Sequence, residues 1–363
     1  MMCRIESVIK MDKIVFVIPD MPGGGTERVV ALLANEYSAG GREVGILLFA
    51  GHDIAYPLRE QIEVVSVGAP SGGKFTARID RLRRMRRYYR ENKNCEIWAF
   101  SVMGAVFSAI AAIGQKHFFL VSERNDPNQY DHRMIRNLFY RRADVVVCQT
   151  PDAAGSFPAG IARKAVVIPN PIEADGVEPY DDIREKRIVA VGRLNPQKNH
   201  KLLIKAFAGF VKIHSDFVLE LYGKGELEEE LRLYAGELGV SGQVIFKGFS
   251  DHVKEDINRA AMFVLSSDYE GISNSMLEAM VLGVPVIATD CPIGGSKMYI
   301  EDHVNGILVP VGDDQALLNA MLELAEDEEL SRNISMAGRK LKDTNTVSKI
   351  ADRFLNIVDS DKR

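Results

Sequence analysis

Cysteine is scarce in this chain: Cys3, Cys95, Cys148 and Cys291 are the four among 363 residues. They are scattered, without metal-ligand spacing or a disulfide framework, which fits a reducing compartment. Long apolar runs are missing too. The longest, Val102–Ile113, is too short to span a bilayer, and the opening MMCRIESVIK lacks the apolar core of an export signal. Met11 directly precedes the first expected strand, so the first ten residues read as a loose extension or a misassigned start. Positive charge is in slight deficit, with a net charge of −5, which argues against a general nucleic-acid binder. A dinucleotide fingerprint is absent: Gly223-Lys224-Gly225 runs on to Glu228 where a third glycine should stand. The D-x-D triplet Asp359-Ser360-Asp361 lies in a polar tail, so no metal site is assigned.

What is present is ample apolar content, 46% of residues, in a chain long enough for two domains of roughly 170 residues each. Short apolar strands alternate with helical segments, the pattern of parallel α/β sheets. Ile14–Ile18, Val44–Phe49, Val64–Val67, Ile97–Phe100, Phe118–Val121, Val145–Cys148 and Val166–Ile168 read as strands of the first half. Ile188–Val191, Val218–Tyr222, Val244–Phe246, Met262–Leu265, Val284–Ala288 and Ile307–Val309 read as those of the second. Between them Asn170-Pro171 and the polar stretch Glu173–Arg184 read as a hinge. A first domain over 11–172, a second over 185–343 and a closing segment over 344–363, with a helix at Thr346–Val358, are expected.

The most informative stretch is Ser266–Pro285, SSDYEGISNSMLEAMVLGVP, which sets Glu270 and Glu278 eight positions apart around a helix start. Ser273 and Asn274 are N-cap types, and Gly283 with Pro285 closes the helix. A helix opening just past a parallel strand aims free N–H groups at the carboxyl edge of the sheet, where an anion can dock. The two carboxylates then accept hydrogen bonds from hydroxyls on either side. Two sugars joined by a diphosphate have that polarity.

The same stretch resembles the retaining, nucleotide-sugar-dependent glycosyltransferases of family 4. VGRLNPQKN (Val191–Asn199), YGKGELEEEL (Tyr222–Leu231), FKGFSD (Phe246–Asp251), VIPNPIE (Val167–Glu173) and GGGTER (Gly23–Arg28) follow in that family's order. The resemblance spans about residues 12–358. It implies α/β architecture: two facing Rossmann-like domains (GT-B) with a C-terminal helix crossing back to the first. It also implies that Glu270 holds the donor sugar, Glu278 the ribose, and Arg193 and Lys198 the diphosphate. Gly24, Gly25, Asn274, Ser275 and Met276 would supply backbone or amide donors, and Asn170, Gly223, Phe249 and Leu277 complete the nucleotide-sugar set. Two cations at a growing diphosphate charge do the task of a divalent metal, so no metal and no cofactor is expected beyond the UDP-sugar co-substrate.

The first domain departs from the family in one place. Many members carry a histidine after a central strand, where this chain has Val121-Ser122-Glu123-Arg124-Asn125-Asp126-Pro127. Glu123 and Asn125 either bind sugar hydroxyls, with Glu123 assisting the acceptor, or only shape the loop. His117 and His132, on either side, read as structural or exposed. Glu27 and Arg28 are implied to lie near the acceptor.

Arg78–Arg90, RIDRLRRMRRYYR, holds seven arginines and one acid, with Leu82, Met85 and Tyr89 on one helical face. Such a stripe, with Arg83, Arg84, Arg87 and Arg90 among its members, would attract anionic headgroups or a polyprenyl diphosphate. The expectation is a bacterial cytoplasmic enzyme peripheral to the inner face of the cell membrane. It would transfer a hexose or N-acetylhexosamine from a UDP-sugar to a glycan, polyprenyl-diphosphate-linked, in surface polysaccharide or glycoprotein synthesis. The alternatives are a UDP-sugar 2-epimerase of the same architecture and a non-enzymatic two-domain ligand-binding protein.

Overall fold

The computed structural model describes residues 13–68, 74–173 and 176–361. The expectations for the first ten residues and Cys3 fall outside them, as do the side chains at 359–361. The chain divides into two compact units, Met1–Ile168 with Val347–Arg363, and Pro169–Thr346.

The first unit runs β1 (Ile14–Ile18), α1 (Gly25–Ala39), β2 (Val44–Leu48), β3 (Glu63–Ser66), α2 (Lys74–Glu91), β4 (Glu96–Ala99) and α3 (Val102–Ala111). It continues with β5 (Phe118–Glu123), α4 (Arg133–Tyr140), β6 (Val145–Cys148), α5 (Pro151–Gly155), α6 (Ala159–Ala162) and β7 (Ala165–Val167). The strands pair in parallel in the order β3-β2-β1-β4-β5-β6-β7. Runs such as IVFVI in β1 and VVVC in β6 are buried throughout, as strands covered on both faces require. Chain direction across the sheet reverses beside β1. Right-handed crossovers therefore put α1 on one face and α2, α3 and α4 together on the other, where α2 packs on α3 and α3 on α4.

The second unit runs β8 (Glu185–Val191), α7 (His200–Phe210), β9 (Val218–Tyr222), α8 (Glu228–Glu237), β10 (Val244–Gly248), α9 (Val253–Asn258) and β11 (Ala260–Leu265). It closes with α10 (Asn274–Val281), β12 (Val286–Thr289), β13 (Ile307–Val309), α11 (Asp314–Glu326) and α12 (Glu328–Arg339). Its parallel sheet is ordered β10-β9-β8-β11-β12-β13, so the reversal falls between β8 and β11. Two apolar layers flank it, one built on Phe207, Phe210 and Leu219, the other on Phe263, Met276 and Met280.

The last helix, α13 (Val347–Asp361), belongs to the first unit. Its Ile350, Ala351, Phe354 and Val358 join that unit's core, Phe354 stacks on Trp98 at 5.4 Å, and Tyr37 Oη donates to the Ala351 carbonyl at 2.9 Å. Several expected strand bounds shift by one to three residues, and two of the differences have a physical reason. The expected strand Val284–Ala288 becomes Val286–Thr289, because Gly283 turns with φ +69° and Val284 N donates back to Ala279 O, closing the helix. β5 runs on through Glu123, which pairs with Cys148, so Glu123 ends a strand where a loop was expected. No helix among the described residues is long and apolar enough to cross a membrane.

Candidate active site

In the second unit the carboxyl ends of β8 and β11 flank the reversal in strand order, where doubly wound sheets leave a crevice. The loop after β8 carries Arg193, which is exposed and whose side chain has no hydrogen bond or ion pair among the described residues. Asn195 then caps a 3-10 turn, Pro196–Lys198, by accepting from Lys198 N at 3.3 Å. Asn199, left-handed at φ +43°, caps α7 through Leu202 N at 3.2 Å.

The loop after β11 is sewn to this one. Lys198 Nζ forms an ion pair with the Glu270 carboxylate. Gln197 Nε2 donates to Tyr269 O at 3.0 Å and to Glu270 Oε1 at 3.5 Å, and Ser267 Oγ donates to Glu270 Oε2 at 3.3 Å. Asp268 N donates to Gln197 O at 2.9 Å, Asn199 Nδ2 to Asp268 Oδ1 at 2.7 Å, and Ser266 Oγ to Lys198 O at 2.9 Å. Glu270 is thus held by three side chains and a backbone bond from its own N–H to Pro292 O, 2.9 Å.

Helix α10 follows at once. Ser273 Oγ accepts from Met276 N at 3.4 Å, and Ser275 Oγ donates to Val191 O at 3.2 Å, which ties the helix start to the end of β8. Asn170 Nδ2 reaches Asn274 Oδ1 at 2.5 Å and Ile272 O at 3.0 Å, bringing two of the expected site residues together. Met276 and Leu277 are buried, and Glu278, one turn into the helix, is buried as well. The positive end of the helix dipole at this N-terminus favours an anion. Gly223, at φ +134°, lies against the β8 loop so closely that a Cβ would collide with the Gly192 carbonyl. Phe249, after β10, is half exposed.

In the first unit Gly24 caps α1 without a side chain, and its carbonyl accepts from Tyr56 Oη at 3.2 Å. Gly25 begins the helix and Arg28 is half-buried on its first turn. Glu123 is buried and accepts from Tyr130 Oη at 3.1 Å, Tyr140 Oη at 3.0 Å and Arg124 N at 3.2 Å. Burial pushes its carboxyl above the ordinary range, and Arg136 and the two tyrosines only partly oppose this. Asn125 Oδ1 accepts from Asp126 N at 2.9 Å, and Asp126 caps a 3-10 turn at Pro127–Gln129. His117 bonds the Cys95 carbonyl at 3.1 Å, and His132 is exposed ahead of α4.

The basic stripe is narrower than its sequence. Arg81 lies 5.1 Å from the Phe107 ring, and Arg86 donates to the Ala111 and Ile113 carbonyls at 2.9 and 2.6 Å. Arg84 pairs with Asp80 at 2.8 Å. Arg78, Arg83, Arg87 and Arg90 are exposed without ion pairs among the described residues. Met85 and Tyr89 are fully buried, Tyr88 joins them, and Leu82 is half-buried.

Sequence reasoning missed Gln197, Ser267 and Asp268 as the groups that hold Glu270 and Lys198 in register. Their one signal was a polar run directly after an apolar strand. It also missed Tyr130, Tyr140 and Arg136 around Glu123, which lie 7 to 17 positions further on.

A doubly wound sheet that offers cations and a helix N-terminus beyond its switch-point strands, joined to a second such sheet, is the arrangement of the GT-B glycosyltransferases, and the chain belongs to them. Residues 23–175 match the family described as Glycosyltransferase Family 4, and residues 181–341 that described as Glycosyl transferases group 1. Among relatives, the chain is 26% identical over 346 residues to the N-acetylgalactosamine-N,N'-diacetylbacillosaminyl-diphospho-undecaprenol 4-alpha-N-acetylgalactosaminyltransferase of Campylobacter jejuni, covering 89% of this chain and 92% of that one. It is 25% identical over 360 residues to that organism's GalNAc-alpha-(1->4)-GalNAc-alpha-(1->3)-diNAcBac-PP-undecaprenol alpha-1,4-N-acetyl-D-galactosaminyltransferase, covering 96% and 98%. In fold it is similar to Anabaena Alr3699/HepE, solved with UDP and glucose, with a TM-score of 0.84, 21% identity, and coverage of 96% and 100%.

Proposed function

We propose that this chain transfers a hexose or N-acetylhexosamine from a UDP-sugar to a glycan carried on polyprenyl diphosphate, with retention of configuration and without a metal. The observation that carries the reading is the pair of sewn loops after β8 and β11. They hold Arg193, Lys198 and Glu270 beside the N-terminus of α10. Arg193, Lys198 and the α10 amides meet the diphosphate, Glu270 holds the donor sugar and Glu278 the ribose. As the bond from the sugar anomeric carbon to phosphate oxygen breaks, the acceptor oxygen bonds to the same face. The departing phosphate oxygen takes the acceptor proton, so no separate base is needed, and the cations balance the charge left on UDP. The names of the two Campylobacter relatives support a diphospho-undecaprenol-linked acceptor, and the Anabaena neighbour supports a UDP-sugar. The exposed arginines of α2 suit the acceptor's diphosphate or an anionic membrane.

The test is a panel of UDP-sugars incubated with a polyprenyl-diphosphate-linked glycan, with and without EDTA, the product read by NMR. An α-linkage from an α-configured donor is expected in both. A β-linkage overturns retention, and complete loss in EDTA that metal restores overturns the metal-free step. Free epimerised sugar without acceptor overturns transfer itself.

A further inference from the structure

Helix α4 turns the usual amphipathic arrangement outward. Its buried residues are Arg136 and Tyr140. The Arg136 guanidinium lies 4.8 Å from the Phe157 ring and 5.4 Å from that of Tyr130, and donates to Pro127 O at 2.5 Å. The opposite side shows Met134, Ile135 and Leu138, which are 88%, 53% and 60% exposed. At about 100° per residue these three fall within an arc of roughly 100° on the helix, and Arg136 and Tyr140 fall across from it. Large apolar side chains this exposed, side by side, mark a surface with a partner.

The charges around the strip say which partner. Arg133 at its start and Arg141 and Arg142 just past its end are exposed and have no ion pair among the described residues. The acids nearest in sequence are Asp131, exposed, and Asp144, whose carboxylate already accepts from Phe119 N at 2.7 Å. Apolar side chains between arginines match acyl chains beneath anionic headgroups. A second protein fits less well. Three side chains on two turns of a convex helix offer far less than the roughly 800 Å² per partner of a standard interface. A bilayer needs no shape complementarity.

We propose that α4 is the element by which this protein enters an anionic bilayer surface, with Met134, Ile135 and Leu138 among the acyl chains and Arg133, Arg141 and Arg142 at the phosphates. The proposal deepens the lipid-linked reading above, on which its purpose rests, because it names the part that keeps the enzyme where such an acceptor lies. α4 lies on the same sheet face as α2, with α3 between them, so the α2 arginines add attraction over a neighbouring area.

The full chain offers a direct test, because its single tryptophan, Trp98, is fully buried and gives a constant background. Met134→Trp should shift its emission to the blue on vesicles of phosphatidylglycerol and phosphatidylcholine, and mid-chain brominated lipid should quench it. In co-sedimentation, the triple variant Met134→Ser, Ile135→Ser, Leu138→Ser should partition about tenfold less or weaker still at low and high salt. Arg133→Gln with Arg141→Gln and Arg142→Gln should lose binding mainly at low salt, where charge is least screened. Unchanged melting temperature and UDP affinity in the serine variant show that its fold is intact.

An unshifted Met134→Trp, with the serine variant sedimenting as wild type does, overturns the proposal. So does a wild type that ignores the vesicles and is dimeric, while the serine variant is monomeric, since the strip is then a self-contact. The vesicles contain no sugar, so loss of the transferase reading would leave this outcome standing, and the reverse holds as well.

Discussion

Lys198 and Glu270 form an ion pair across 72 positions of chain, with side chains only 16% and 13% exposed. Lys198 closes the turn after β8 and Glu270 stands in the loop after β11, so the pair bridges the point where strand order reverses. A diphosphate arriving there must share Lys198 with Glu270, whereas exposed Arg193 can meet it directly. The two cations are therefore unequal, and substitutions can tell them apart.

Arg193→Ala and Lys198→Ala should each lower kcat by about 100-fold, the scale of losing one donor aimed at a growing negative charge. Their stabilities should differ. The Arg193 side chain has no hydrogen bond or ion pair among the described residues, while loss of Lys198 leaves a shielded carboxylate with Ser267 and Gln197 as its side-chain donors among them. Thermal melts should show a drop for Lys198→Ala alone. Near-normal turnover in both variants would falsify the clamp.

The two glutamates should separate by calorimetry with UDP. Glu278→Gln replaces an anionic acceptor by a neutral amide and should weaken UDP by about tenfold, the scale of a charge-assisted hydrogen bond. Glu270→Gln should bind UDP nearly as wild type does, yet lose turnover and sugar selectivity. Equal losses of UDP affinity would contradict the division of roles.

Replacing Arg83, Arg84, Arg87 and Arg90 with Gln should raise KM for a lipid-linked acceptor relative to a soluble one. Three of the four have no ion pair among the described residues, so their charge is available to a ligand. The effect should shrink as salt rises, because such charges are screened over roughly 8–10 Å at physiological ionic strength. An unchanged ratio between the two acceptors would leave α2 as a solvated helix.

Stability against pH should carry the mark of His200. Burial at the start of α7, helped by the Lys198 charge, pushes its imidazole down from 6.5 to about 4, and its Nδ1 has no hydrogen-bond partner among the described residues. The unfolded chain then binds more protons, so the stabilisation is complete above about pH 6.5 and is lost as pH falls towards 4. The loss is on the order of 3 kcal/mol over that window. His200→Gln should flatten it in urea titrations. Glu123 has the opposite sign: its raised carboxyl favours the fold below about 4.5 and loses that as pH rises through its folded value. Glu123→Gln should therefore steepen the rise of stability with pH. Unaltered profiles in both variants would mean that these groups do not set it.

Much of the architecture was legible from residue order alone. Strands covered on both faces appear in sequence as short apolar runs between turn residues, so Val145–Cys148 and Ile307–Val309 agree to the residue. The start of α10 was legible for the same kind of reason, since a serine that caps a helix acts three residues away. Only the tertiary structure decided which distant groups meet. It set Lys198 against Glu270, placed two tyrosines on Glu123, turned Arg81 and Arg86 of the basic helix inward, and left three apolar side chains of α4 outside. Periodicity records which face of an element is apolar, not what covers that face. Strand order and crossover hand settle the neighbour, and with it whether a charge is paired, buried or free to bind.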